Sequence, residues 1–482
     1  MTRLQAITTA LRHFDDGSFQ TLLSQRVARP TESQNPARAG DLADYLESDL
    51  RPWLEQLGFA CQTLTHPAAR APFLFAQRIE AATLPTVFGY GHGDVIRGLE
   101  KEWKPGTSPW SMTELDGRWY GRGVADNKGQ HTVNLQAMGH VIQTRGHLGF
   151  NAKYLIEMGE ETGSPGLREL CAKHKDLFQA DVMIASDGPR LRPDQPTVFM
   201  GTRGVLNFDL SIQSRAGGHH SGNWGGLISN PGIQLAHAIA SITTVNGQIR
   251  VPEWVPKELP ASVRKALAHC EVDGGDDGPA VEPWWGEPGL SPAERVFGWS
   301  SFEVLAFKTG NPETPVNAIP PRAWARCQLR FVVGVDANDI VPALQRHLAK
   351  NGFDRVKVAA VDDIVMHATR VDPDDDWVRW VVASLARTAR EQGNAKPVAV
   401  LPNLGGSLPN DIFTDTLGLK TVWVPHSYAG CSQHAPNEHL PKALLREAMA
   451  LITGLYWDLG EGQTPKWSIL QTLPPRPHPQ PT

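Results

Sequence analysis

At 482 residues the chain is longer than one hydrophobic core usually supports, so two domains are the starting expectation. With 41% apolar and 20% charged residues it has the make-up of an ordinary folded protein, and a net charge of −5 speaks against a nucleic-acid surface. No apolar run approaches the roughly 18 residues of a membrane helix. The start, Met1-Thr2-Arg3-Leu4-Gln5, lacks the apolar core of a secretion signal. The five cysteines (Cys61, Cys171, Cys270, Cys327 and Cys431) show no Cys-x-x-Cys spacing, which suits a reducing cytoplasm and excludes a thiolate zinc site of the usual kind.

Residues 1 to about 60 read as helices. Leu22, Leu23 and Val27, then Leu42, Tyr45, Leu46, Leu50, Trp53, Leu54 and Leu57, recur at helical spacing, with a break at Arg29-Pro30-Thr31 and a closing Gly58. Strands and helices then alternate. A short apolar strand over 86–90 ends at Gly91-His92-Gly93-Asp94. The turn 121–129, which carries Asp126, precedes a helix over 130–143. A strand over 154–158 ends at Gly159-Glu160-Glu161-Thr162-Gly163, a helix follows over 167–174, and a strand over 181–185 ends at Ser186-Asp187-Gly188. This alternation predicts an α/β fold, a mixed sheet flanked by helices.

The pattern changes after about Arg203. Residues 205–213 alternate apolar and polar, as in a strand with one wet face, and a helix is predicted over 232–242. Residues 249–300 are rich in Pro, Gly and Trp and include the acidic loop 273–277, so they read as a functional loop or cover. Strands over 323–333 and 356–361 flank a helix over 337–350. We read 1–203 as the first part of one domain, 204–370 as an inserted α+β domain, and 371–482 as the second part of the first domain. There a helix (376–392), a glycine turn (404–407), a strand (420–424) and a helix (442–457) resume the first pattern. The Pro-rich tail from Gln471 is expected to lack a fold.

His92, Asp94, Asp126, Glu160, Glu161, Asp187 and His434 all fall at strand ends or glycine turns, where α/β sheets place their sites. Two imidazoles with several carboxylates are ligands for zinc, or for manganese or cobalt. So many donors exceed one tetrahedral ion and suit two ions sharing a carboxylate, roughly 3.5–4 Å apart.

Five stretches carry a resemblance: Gly91-His92-Gly93-Asp94-Val95, the run 121–129, Met158-Gly159-Glu160-Glu161-Thr162-Gly163-Ser164, Ser186-Asp187, and Cys431-Ser432-Gln433-His434-Ala435-Pro436-Asn437-Glu438. In this order the chain resembles the di-zinc metallopeptidase family of carnosinase-like dipeptidases, glutamate carboxypeptidase, succinyl-diaminopimelate desuccinylase and aminoacylase. The resemblance implies a zinc-peptidase catalytic domain in which Asp126 bridges two divalent metals. His92 and Asp187 would complete one site, Glu161 and His434 the other. Glu160 would be the general base and then acid, Asp94 would orient His92, and the Asp126–Asn127 bond would be cis.

The inserted segment resembles the family too, as its lid or dimerisation domain. His220, in Gly218-His219-His220-Ser221-Gly222, would reach the site of a partner subunit and stabilise the oxyanion, which implies a homodimer joined through the inserted domain. His219 has no such role and reads as a surface imidazole. Asn317 stands where the family usually has Thr. Arg330 matches the residue that holds the substrate carboxylate, and Gly406 and Ser407 match a substrate-contacting turn preceded here by Leu404. The implied function is metal-dependent hydrolysis of peptide or amide bonds in small substrates with a free carboxylate, a dipeptidase or carboxypeptidase. An N-acyl amino acid deacylase would share every ligand. A non-catalytic binding protein on the same fold would be expected to lose Glu160 or a ligand, and none is lost. A nucleotide-binding α/β protein lacks support, because no Gly-x-Gly-x-x-Gly opens a helix after the first strand.

Overall fold

Short apolar runs with side chains buried on both faces build the largest sheet. We describe it from a computed structural model that covers residues 1–275, 278–361, 366–462 and 464–465. Its strands are β1 (Ala60–Leu64), β2 (Phe73–Arg78), β3 (Thr86–His92), β4 (Asn151–Glu157), β5 (Val182–Ala185) and β6 (Thr197–Phe199). The smaller sheet contributes β7 (Gly204–Gln213), β8 (Ser301–Thr309), β9 (Arg322–Phe331) and β10 (Lys357–Ala360). β11 (Ala399–Leu401) and β12 (Thr421–Trp423) return to the first sheet, whose order is β1-β2-β4-β3-β5-β12-β6-β11.

Strands β4, β3, β5 and β12 are mutually parallel, while β1, β2 and the β12–β6 contact are antiparallel. The sheet is therefore mixed, as expected from the sequence. In β3, Val87 joins one apolar cluster and Phe88 and Tyr90 the other. In β4, Tyr154 and Ile156 face the first and Leu155 the second. This period-two division is what burial on both faces requires. The first face is covered by α1 (Arg3–Asp15), α2 (Lys128–Arg145), α5 (Asp376–Glu391) and α6 (Lys442–Leu459); α3 (Pro231–Ile242) and α4 (Ile340–Lys350) belong to the smaller sheet.

The smaller sheet runs β8-β9-β7-β10, antiparallel throughout. Its even-numbered residues Leu206, Phe208, Leu210 and Ile212 pack under α3 and α4, so its core is separate from the two clusters of the large sheet. Strand β8 was not expected from the sequence. It is an exposed edge with a register shift between Val304 and Ala306, and that bulge breaks the alternation that announces a strand. Strands β1 and β2 were also missed; they lie between the helices read over 1 to about 60 and the strand read at 86–90, where the sequence reading assigned no element. Residues 249–300 hold short helices, and Leu259, Val263, Leu267 and Phe297 seal one face of the large sheet, which makes the segment a cover. The tail from Gln471 and residues 276–277 of the acidic loop lie outside the described residues. Among the described residues no helix is long and apolar enough to cross a membrane.

Candidate metal centre

Parallel strands β3, β4 and β5 bring their carboxyl ends to one edge, and the donor groups collect there. His92 is the last residue of β3 and is fully buried. The glycines beside it allow the approach of its neighbours. A Cβ on Gly91 would lie 2.7 Å from the His131 Cβ, and one on Gly93 2.5 Å from the Tyr45 ring. Nδ1 of His92 lies 3.0 Å from the Asp94 carbonyl oxygen and Nε2 lies 3.0 Å from Asp126 Oδ1. Asp94 is fully buried, and its two carboxylate oxygens accept the backbone N–H groups of Glu160 and Glu161, each at 3.2 Å. Asp94 thus sets the His92 ring through its carbonyl oxygen, with a carboxylate oxygen 3.4 Å from Nδ1, and through its carboxylate holds the turn Glu160–Thr162 that follows β4.

Asp126 lies in the loop before α2, and its bond to Asn127 is cis. Its second oxygen, Oδ2, is 3.1 Å from His434 Nε2, and that nitrogen is 3.0 Å from Glu161 Oε2. His434 sits in a left-handed conformation, φ +57°, in the loop after β12. The donor atoms of His92, Asp126 and Asp187 lie within 4.8 Å of one another, as do those of Asp126, Glu161 and His434, so the two triads share Asp126. Glu160 belongs to neither triad. It lines, with Asp126, Asp187, Gly406, Ser407 and His434, a cavity of about 920 Å³.

The electrostatics show a pocket short of positive charge. Burial, and then the charge of Asp126, push Glu161 up to about 7 and Asp187 up to about 6. Burial raises Glu160 well above the carboxylate range against the pull of His92. Burial opposes ionisation of Asp126 as well, yet hydrogen bonds from His434 and His92 hold it below its ordinary value. His434, bonded to Asp126 and Glu161, rises to about 11. Asp187 Oδ2, 2% exposed as a residue, has no hydrogen-bond partner among the described residues. Crowded carboxylates, an orphaned buried oxygen and two convergent imidazoles fit divalent cations in both triads.

The other expected residues are divided. Arg330, on β9, donates from Nη1 to Ser407 Oγ at 3.3 Å, so the small sheet meets the glycine turn at the cavity wall. His220 and Asn317 are brought to each other instead. They belong to an exposed ribbon in which His219–His220 pairs with Ala318–Ile319 and Ser221 N donates to the Asn317 carbonyl at 2.9 Å. Neither lines the cavity.

Sequence reasoning gave Glu438 no role. It is 1% exposed and accepts from Arg122 Nη1 at 2.8 Å and from the backbone N–H groups of Ala125 (2.8 Å) and Asp126 (3.0 Å). It therefore fixes the loop that presents Asp126. The available signal was only an acid and an arginine standing in two of the separate motif stretches.

Comparison with known proteins agrees with this geometry. The model of peptidase family M20/M25/M40 matches residues 89–458. The chain is 25% identical over 405 residues to the human (Homo sapiens) Beta-Ala-His dipeptidase, covering 81% of this chain and 78% of that protein. It is 32% identical over 463 residues to a Cys-Gly metallodipeptidase of Candida albicans, covering 88% of this chain and 90% of the relative. The crystal structure of human carnosine dipeptidase 1 superposes with a TM-score of 0.75 at 21% identity, over 94% of this chain and 99% of that one, and so shares the fold. With a family match that spans every donor of the two triads, the chain belongs to peptidase family M20/M25/M40.

Proposed function

We propose that the chain is a metal-dependent dipeptidase acting on small peptides with a free C-terminal carboxylate. The observation that carries this reading is the pair of triads sharing Asp126, with Glu160 beside them and outside both. Asp126 would be shared by two ions, with His92 and Asp187 holding one and Glu161 and His434 the other. Zinc suits this donor set, with manganese or cobalt as alternatives. When bound, the ions polarise the scissile carbonyl and acidify a water. Glu160, its backbone N–H held by Asp94, takes the proton of the attacking water and returns it to the leaving amine. Arg330 and Ser407, with Gly406 beside them, receive the substrate carboxylate, for which a guanidinium fork is the apt donor.

We further read residues 204–370 as the inserted unit and its exposed ribbon as the part of a homodimer that delivers His220 and Asn317 to the partner's cavity. The exposure of Trp224, Leu227, Leu305, Phe307 and Val316 on the same unit supports a covering surface. All five cysteines are free, in keeping with a cytoplasmic location. One observation favours a second reading, N-acyl amino acid hydrolysis. Leu404 packs on Gly188 beside Asp187, with Leu404 Cδ2 3.0 Å from where a Gly188 Cβ would stand, and so offers an apolar wall to a neutral acyl group. A panel of dipeptides, their C-terminal amides and N-acyl amino acids, assayed with metal content on one sample, decides between them. Dipeptide turnover with about two ions per chain is expected. Turnover of N-acyl amino acids alone selects the deacylase, and no turnover by metal-loaded protein rejects both.

A further inference from the structure

Among the described residues Arg203 is a buried cation without a counter-ion. It stands between β6 and β7, where the chain leaves the large sheet for the small one, and is 8% exposed. Its Nε donates to the Gly405 carbonyl at 2.7 Å and its Nη1 to Ser301 Oγ at 3.2 Å. Its own carbonyl accepts from Ser407 Oγ at 2.7 Å, and its N–H donates to the Leu404 carbonyl at 3.2 Å. Arg330 meets the same two serines. It donates to Ser407 Oγ and lies opposite Ser301 across the β8–β9 ladder. Among the described residues no carboxylate comes within 4.0 Å of either guanidinium. The acid that Arg203 feels is Glu303, on the exposed strand β8, and Arg330 pushes the other way.

Two neighbouring guanidiniums, one buried and one largely so, are costly unless an anion joins them. Donors remain for one. A guanidinium carries five N–H groups; Arg203 commits Nε and Nη1, and Arg330 commits Nη1. The turn they share, Gly405-Gly406-Ser407, forms part of the wall of the cavity that holds Asp126, Glu160 and Asp187.

We propose that Arg203 is a specificity-determining residue: with Arg330 and Ser407 it forms a two-arginine notch for the substrate's free carboxylate, and it ties the Gly405–Ser407 turn to β8. The inference rests on the dipeptidase reading, in which the substrate carries that carboxylate. No covalent step is involved. Arg203 adds charge and a second set of donors beside Arg330, one of whose nitrogens already donates to Ser407 Oγ.

Zinc-loaded wild type, Arg203→Met, Arg203→Lys and Arg330→Met are assayed on Ala-Ala, Gly-Leu and Cys-Gly and on the C-terminal amide of each. For Arg203→Met we expect KM for the free dipeptides to rise roughly 10- to 10²-fold, the worth of a lost charged hydrogen bond, with kcat and the amide values within about 3-fold of wild type. Arg203→Lys, which keeps the charge without the fork, should recover part of the loss. Equal losses on dipeptide and amide would make Arg203 a structural tie only, and no loss on either would remove it from the site. Should Arg203→Met fail to fold, Arg203→Lys carries the same comparison, since an ammonium cannot bond Gly405 and Ser301 while facing the carboxylate. A wild type that cleaves amides as well as free dipeptides, or cleaves neither, overturns the carboxylate reading itself, a failure visible before any Arg203 variant is measured.

Discussion

The edge of the eight-stranded sheet and the ribbon of the four-stranded unit treat their polar groups in opposite ways. At the edge most groups are held by another. His92 lies between Asp94 and Asp126, the Glu160–Glu161 turn hangs from Asp94, and the Asp126 loop hangs from Glu438, itself paired to Arg122. On the ribbon, His220 is exposed and its Nδ1 accepts from the N–H of Gly222 two residues on, at 3.1 Å. The first arrangement is completed by folding of one chain, and its burial is repaid by fixed geometry. The second leaves an imidazole on a surface, and such a group acquires a fixed position only when another surface covers it. Pre-organisation is thus built into one region and deferred in the other.

The largest expected effect falls on the pre-organised side. Glu160→Gln should retain about two metal ions per chain while turnover falls by roughly 10²–10⁴. Elemental analysis and steady-state rates on one preparation test this, and near-normal turnover would reject the proton-transfer role. Next comes the support beneath the ligands. Glu438→Gln leaves Arg122 buried without its carboxylate and loosens the Asp126 backbone. Metal affinity should fall roughly 10- to 10²-fold, as for other groups that orient ligands. Competition with a chromogenic chelator reads this directly, and unchanged affinity would mean that the loop holds itself.

The deferred side predicts a smaller recovery rather than a loss. His220→Ala and Glu160→Gln, each inactive alone, should regain activity when mixed. A mixed dimer has one site with wild-type Glu160 from one chain and wild-type His220 from the other, while its second site carries both defects. At full exchange about half the dimers are mixed, so about a quarter of wild-type activity is the ceiling. Subunit exchange proven by native mass spectrometry without recovered activity would put His220 outside the partner's cavity.

The contrast also explains what the sequence made legible. His92, Asp126, Glu161, Asp187 and His434 stand at strand ends or turns with glycine and small residues around them, and that local punctuation survives in one dimension. The ties across the fold do not. Glu438 lies 316 residues from Arg122, and Arg203 lies 204 residues from Ser407; both rest on contacts that no local pattern encodes. Helix α6, apolar over most of its length, was read to within two residues of its end, whereas β8 was missed because it is exposed along an edge and bulged. Burial on both faces writes a clear pattern; an uncovered edge writes almost none.

The smallest expected effect on activity separates the stability of the large layer from the chemistry at its edge. His140, on α2, is 6% exposed and faces His13 of α1 with ring centroids 4.9 Å apart. Burial, and then the charge of His13, push its imidazole down to about 4, with Gln143 and Asp16 pulling weakly upward. The folded state therefore favours the neutral ring. Since the folded value lies below the unfolded one, the unfolded chain binds the extra proton first. The contribution to stability is complete above about pH 6.5 and is lost as pH falls toward 4, by up to about 3 kcal/mol. His140→Gln removes this titration without touching either triad. Urea unfolding of both proteins at pH 7 and pH 4.5 should show the wild type losing about 2–3 kcal/mol more than the variant over that interval. The rate at pH 7 should be the same for both. Parallel losses would mean that His140 is protonated in the fold or already neutral in the unfolded chain, and acid sensitivity would then have to come from the carboxylates at the edge.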